Sequence, residues 1–115
     1  MEKKIELGML CEIYGNLLTE KQKEVINDYA NQDLSLTEIA ENNNITRQAV
    51  RDNIKKGENK LFEYEEKLDV MKKTIEQEEK IAIILSEINK IQSKSSDKEV
   101  GEILNHIRHE LDCLV

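Results

Sequence analysis

The side chains with the most chemistry to offer crowd into one short stretch, Thr46-Arg47-Gln48-Ala49-Val50-Arg51-Asp52-Asn53-Ile54-Lys55-Lys56. On a helix at about 100° per residue, Gln48, Arg51, Asp52, Lys55 and Asn59 point one way, with Arg47 on the flank. Val50, Ile54, Gly57 and Leu61 form the opposite, apolar stripe. Gln can pair with adenine and Arg with guanine in the DNA major groove, each through two hydrogen bonds. Arg47, Lys55 and Lys56 suit phosphate oxygens. Asp52 can accept from cytosine, but it repels phosphate and can pair with Lys55 or Lys56 along the helix. Five basic and two acidic residues lie between Thr46 and Lys60, a local +3 inside a chain of net charge −7. A chain this acidic repels nucleic acid on average, so any nucleic-acid contact must be local. The candidate contact set is Thr46, Arg47, Gln48, Arg51, Asp52, Lys55 and Lys56.

Other reactive groupings lead nowhere. Glu102, His106, His109 and Cys113 share one side of a predicted C-terminal helix, and each type can bind zinc. They span eleven positions, roughly 15 Å of helix, so one ion reaches only neighbours such as His109 and Cys113. No metal and no cofactor is expected. The chain has neither a glycine-rich phosphate loop nor a nucleophile elbow. Glu76, Glu78 and Glu79 read as a solvated helix face. The sequence is therefore not expected to be an enzyme. Cys11 and Cys113 read as free thiols of a reducing compartment. The longest nearly apolar run, Ile81 to Leu85, is far too short to span a bilayer, so a cytoplasmic chain without membrane contact is expected.

The elements that must position the contact set are helices. The 115 residues contain no proline and four glycines, and 36% are charged. That is the composition of amphipathic helices with solvated outer faces. Residues 3–18 carry Ile5, Met9, Leu10, Ile13, Tyr14 and Leu17 at helical spacing. Thr19 with Gln22, and Ser35 with Glu38, are capping boxes that open the next two helices. Leu34 with Ile39, and Ile45 with Val50, are hydrophobic staples. Asn31-Gln32-Asp33 is a turn. Asn44 stands where a left-handed residue is wanted, and Thr46 caps the helix that follows. A small residue, Ala40, lies where two short helices must cross. Residues 35–54 thus form a helix-turn-helix, whose second helix would enter a major groove. A long helical segment is predicted to run on to about Lys80, and a second from Ile81 to Gln92. Ser93 to Ser96 is a linker, and Ser96 with Glu99 would cap a last helix reaching Cys113.

Residues 14–68 resemble the YlxM family of small bacterial proteins. The match is carried by Leu17-Leu18-Thr19 with Lys21-Gln22, by Asp33-Leu34-Ser35-Leu36 and by Glu38-Ile39-Ala40-Glu41. It continues through Arg47-Gln48-Ala49-Val50, Asp52-Asn53-Ile54-Lys55 and Tyr64-Glu65-Glu66-Lys67-Leu68. The resemblance implies an all-α fold with a helix-turn-helix headpiece similar to region 4 of sigma factors, and long C-terminal helices. It also implies a DNA-binding regulator associated with the signal recognition particle pathway, an association inferred for the family from gene position.

The expected division is 1–68, the DNA-binding headpiece, and 69–115, a helical extension for dimerisation or partner binding. Leu61, Tyr64, Leu68, Met71 and Ile75 recur by threes and fours, as in a heptad seam. The seam packs either on the chain's own helices or on a second copy, and a homodimer would suit a palindromic site. Two readings of function follow. One is a sequence-specific DNA-binding regulator. The other is an accessory factor that reuses the helix-turn-helix as scaffold and contacts protein or RNA of the signal recognition particle machinery. The basic strip favours the first, and the acidity of the whole chain favours the second.

Overall fold

A computed structural model of the chain describes residues 1–114. The described residues are helical, with no strand among them. The helices are α1 (Lys3–Tyr14), α2 (Glu20–Ala30), α3 (Leu36–Asn43), α4 (Arg47–Leu68), α5 (Val70–Lys94) and α6 (Lys98–Asp112), with a 3-10 turn over Gly15–Leu17. The chain forms two compact units, Met1–Met71 and a second beginning at Lys72.

In the first unit the local signals act as expected. The Thr19 hydroxyl accepts the Gln22 amide while the Gln22 side chain accepts the Thr19 amide, and Ser35 and Glu38 repeat the arrangement. Each box satisfies two N–H groups that a helix start leaves without partners. Asn44 ends α3 at φ 53°, ψ 43°, which turns the chain into α4, whose N-cap is Thr46 two residues later. Leu34 and Ile45 pack on a cluster of Val25, Ile39, Ala40 and Val50. Val50, Gly57 and Leu61 of α4 are buried. Gly57 is there for space: a Cβ on it would lie 2.1 Å from Cδ1 of Ile26, itself wholly buried. A glycine at that crossing lets α4 lie against α2.

Three local expectations need correction. The core face of α1 is Leu7, Leu10, Cys11 and Tyr14, followed by Leu18, while Ile5 and Leu17 are 55% and 56% exposed. Apolar residues surround this helix, so its periodicity could not choose a face. The long segment predicted to reach Lys80 breaks instead at Asp69, which takes φ 55°. The break is stabilised from a distance. The Val70 amide donates to the Tyr14 hydroxyl at 3.1 Å and the Met71 amide to the Glu65 carboxylate at 2.9 Å. Those are the N–H groups that the start of α5 would leave unsatisfied. At the other end of the chain Asp97, not Ser96, caps α6, accepting from the Glu99 and Val100 amides.

In the second unit, Ile81 and Ile88 of α5 and Leu104 of α6 are buried. Arg108 donates to Gln92 at 2.7 Å and to Asn89, and Gln92 donates to Asn105 at 2.9 Å. The α5–α6 connection is capped in turn, the Ser95 hydroxyl accepting the Asp97 amide.

Candidate nucleic-acid interface

α3 and α4 place the predicted contact residues on the first turns of α4. Thr46 is committed to the backbone, accepting the Ala49 amide at 3.0 Å. The side chains of Arg47, Gln48, Arg51, Asp52, Lys55 and Lys56 are all exposed. Asn53 faces inward enough to donate to the Ala49 carbonyl and is not free to read a base.

Asp52 does not pair with Lys55 or Lys56. The Gln48 side-chain amide donates to its carboxylate at 3.1 Å. Both options lie one helical turn away, and the structure takes the one towards the helix start. The effect is to engage the Gln48 NH₂ group and leave its carbonyl oxygen as an acceptor. Lys55 and Lys56 keep their charges for a ligand.

The headpiece lysines outside this strip are engaged by side chains: Lys23 donates to Asn16 at 2.6 Å and Lys60 to Gln22 at 3.4 Å, and the rest form ion pairs. Lys3 pairs with Glu58 at 2.6 Å, Lys4 with Asp33, Lys21 with Glu24 at 3.8 Å and Lys67 with Glu63 at 3.0 Å. Among the described residues Arg47, Arg51, Lys55 and Lys56 have no ion-pair partner. Four unneutralised cations within three turns of one helix make a local positive field in an otherwise acidic protein.

The same region carries a feature that the sequence reading missed. A groove of about 450 Å³ is lined by Lys3, Tyr29, Leu36, Arg51, Ile54 and Lys55, with Glu58 and Asn59 at its edge. Its apolar floor comes from α2, α3 and α4, and its cations from α1 and α4. Residues drawn from four elements leave no pattern along the chain, which is why spacing could not reveal it. Beside it the Lys4 ammonium sits 4.6 Å from the centre of the Tyr29 ring, a cation–π contact. The same ammonium holds the Asp33 carboxyl below the usual carboxylate range.

The predicted seam residues are divided between two helices. Leu61 is fully buried against the headpiece, Tyr64 is half-buried and Leu68 is half exposed at the end of α4. Met71 is buried at the start of α5 and Ile75 is half-buried further on. Tyr64 meets Tyr14 with ring centres 6.0 Å apart. His109 and Cys113 approach to 4.0 Å, and no group of three or more His, Cys, Asp or Glu that could hold a metal exists among the described residues. No helix among them is long and apolar enough to cross a membrane.

A family profile described as "Putative helix-turn-helix protein, YlxM / p13 like" matches residues 1–105. Curated relatives are similar over most of their length. A UPF0122 protein of Acetivibrio thermocellus is 40% identical over 115 residues, covering all of this chain and 98% of the relative. One of Clostridium kluyveri is 44% identical over 113 residues, covering 96% of this chain and all of the relative. One of Fusobacterium nucleatum reaches 54% identity over 76 residues, covering 64% of this chain and 74% of the relative. The resemblance read from residues 14–68 therefore holds and extends on both sides of that stretch, and the chain belongs to the UPF0122 family of YlxM/p13-like helix-turn-helix proteins.

Proposed function

We propose that this protein is a non-catalytic, cytoplasmic DNA-binding regulator that reads the major groove with the first turns of α4. The observation that carries this reading is the set of unpaired cations, Arg47, Arg51, Lys55 and Lys56, on the exposed face of a helix-turn-helix whose other lysines are largely paired. Arg47, Lys55 and Lys56 supply phosphate contacts, and Gln48 and Arg51 supply base contacts. Held through its NH₂ group, Gln48 presents its carbonyl oxygen as an acceptor. That geometry suits an amino group on adenine or cytosine at the groove edge. The link to the signal recognition particle pathway comes from the family resemblance.

The groove beside Arg51 supports the second reading, an accessory factor contacting the signal recognition particle machinery. An apolar floor of Tyr29, Leu36 and Ile54 flanked by cations is better suited to an acidic, partly apolar partner segment than to a duplex. Fluorescence anisotropy on selected duplexes at several salt concentrations separates the two. With three to five phosphate contacts, the log–log slope of affinity against salt should be about −3 to −5. The variant with alanine at Arg47, Arg51 and Lys55 should lose binding while keeping its helical spectrum. If it binds DNA as tightly as wild type, α4 is scaffold and the accessory reading takes its place.

A further inference from the structure

The α5–α6 hairpin has two unlike sides. One is polar, where Asn89 and Gln92 bond to Arg108, and Gln92 to Asn105. On the other, Ile84 and Ile91 of α5, Ile103 and Ile107 of α6, and Leu114 just beyond α6 are 44%, 48%, 55%, 39% and 62% exposed. At about 100° per residue, Ile84 and Ile91 fall within about 20° of each other, and Ile103 and Ile107 within about 40°. Ile81, Ile84, Leu111 and Leu114 line one shallow cavity of about 380 Å³, so the two apolar flanks meet on one face of the hairpin. The core beneath them is thin: Ile81, Ile88 and Leu104 are its buried aliphatic residues among those described. A hairpin of this size stabilised by so few buried side chains needs further apolar cover. An exposed aliphatic face of this extent marks an interface.

We infer that this face is covered by a second copy of the chain, with the two α5 helices packed antiparallel about a twofold axis between Ile83 and Ile84. The charge pattern selects that occupant. Lys80 and Glu87 both border the apolar face and lie at equal distances on either side of the Ile83–Ile84 midpoint. An antiparallel twofold pairing sets Lys80 of each copy opposite Glu87 of the other and makes two ion pairs. A parallel pairing sets Lys80 against Lys80. Both side chains are exposed. Lys80 has no ion-pair partner among the described residues, and Glu87 has an exposed contact with Lys90 at 3.2 Å. Lys73 and Lys94 come opposite each other only about 16 Å from the axis, where helices crossing at about 20° have splayed apart. The product is a closed four-helix assembly of two hairpins, with the same surface used by both copies. It does not depend on the headpiece binding DNA.

Sedimentation velocity on the full chain, from about 1 to about 100 µM, tests the inference. Wild type should be a dimer in the upper part of this range. Ile84→Glu combined with Ile103→Glu should be monomeric with an unchanged far-ultraviolet spectrum. Lys80→Glu should weaken association about ten-fold, since it replaces two attractive pairs with two repulsive ones. Adding Glu87→Lys should restore wild-type association within about two-fold, because the pairs are re-formed with signs exchanged. This charge exchange decides the matter even if the isoleucine variant unfolds. A wild type that stays monomeric at about 100 µM overturns the inference, and so does a double charge variant no tighter than Lys80→Glu alone.

Discussion

The Tyr14 hydroxyl donates to the Glu65 carboxylate across 2.7 Å while accepting the Val70 amide at 3.1 Å. Tyr14 is 3% exposed, so this bond lies inside the headpiece and joins α1 to the last turns of α4. With the Met71 amide on the same carboxylate oxygen, it fixes the left-handed turn at Asp69. Tyr14→Phe keeps the ring packing but leaves the Val70 amide without its acceptor. The expected cost is about 1–3 kcal/mol, read as a lowered urea midpoint. An unchanged midpoint would mean that the break at Asp69 forms without the tyrosine.

Alkali should attack the same place. Burial, and then the hydrogen bond to Glu65, push the Tyr14 phenol above its ordinary range. A group whose folded pKa is raised stabilises fully below its unfolded value, near 10, and that contribution is lost as pH rises through the folded value. Tyrosinate absorbance should therefore show a component that ionises above the ordinary tyrosine range. Tyr14→Phe should remove that late step. If the late step survives in the variant, it does not come from Tyr14.

What the sequence discloses and what it hides divide along the distance between partners. Thr19 finds Gln22, Ser35 finds Glu38, and Asn44 turns the chain with no outside help, so the helix-turn-helix is legible from neighbours. The break at Asp69 depends on Tyr14, whose hydroxyl meets Val70 across 56 positions of sequence. No window of helical periodicity contains both residues. The choice of core face in α1 is hidden for another reason. Ile5, Leu7, Met9, Leu10 and Ile13 surround the helix, and only the positions of α2 and α4 decide which are buried. At the candidate site the outward set on α4 was legible from its period. Whether Asp52 joins Gln48 or Lys55 was not, because both are one turn away.

Gly57 and Gly101 should respond oppositely to the same change. Both are helical, and alanine in a helix interior gains about 0.5–1 kcal/mol over glycine. Gly101 has nothing within 4 Å of a new Cβ, so Gly101→Ala should stabilise α6 by that amount. At Gly57 the methyl would meet Cδ1 of buried Ile26 at 2.1 Å and Cγ1 at 3.2 Å. Overpacking of that kind costs about 1–3 kcal/mol, which outweighs the helix gain. Thermal melts followed by circular dichroism should show Gly57→Ala lowered and Gly101→Ala raised. If Gly57→Ala is also raised, α2 and α4 have room to part, and the close crossing at Ile26 is not what demands glycine.

Asp52 offers the sharpest test of how α4 meets a ligand, because its charge and its hydrogen bond can be removed separately. Asp52→Asn keeps an oxygen for the Gln48 amide at its present 3.1 Å but deletes the one acid among Arg47, Arg51, Lys55 and Lys56. If this face lies along phosphates, the variant should bind every duplex more tightly at low salt, and its log–log salt slope should steepen by up to about one unit. Asp52→Ala deletes the charge and also frees Gln48 to swing. It should show the same general gain, and in addition a loss of about 1–3 kcal/mol in preference for the best site over others. The difference between the two variants isolates what holding Gln48 contributes to base choice. Anisotropy titrations on one selected duplex and one scrambled duplex, at four salt concentrations, measure both quantities. Equal affinities for Asp52→Asn and wild type at low salt would place the phosphates away from this face of α4. Equal preferences for Asp52→Asn and Asp52→Ala would remove Gln48 from base reading and leave Arg51 as the side chain that discriminates.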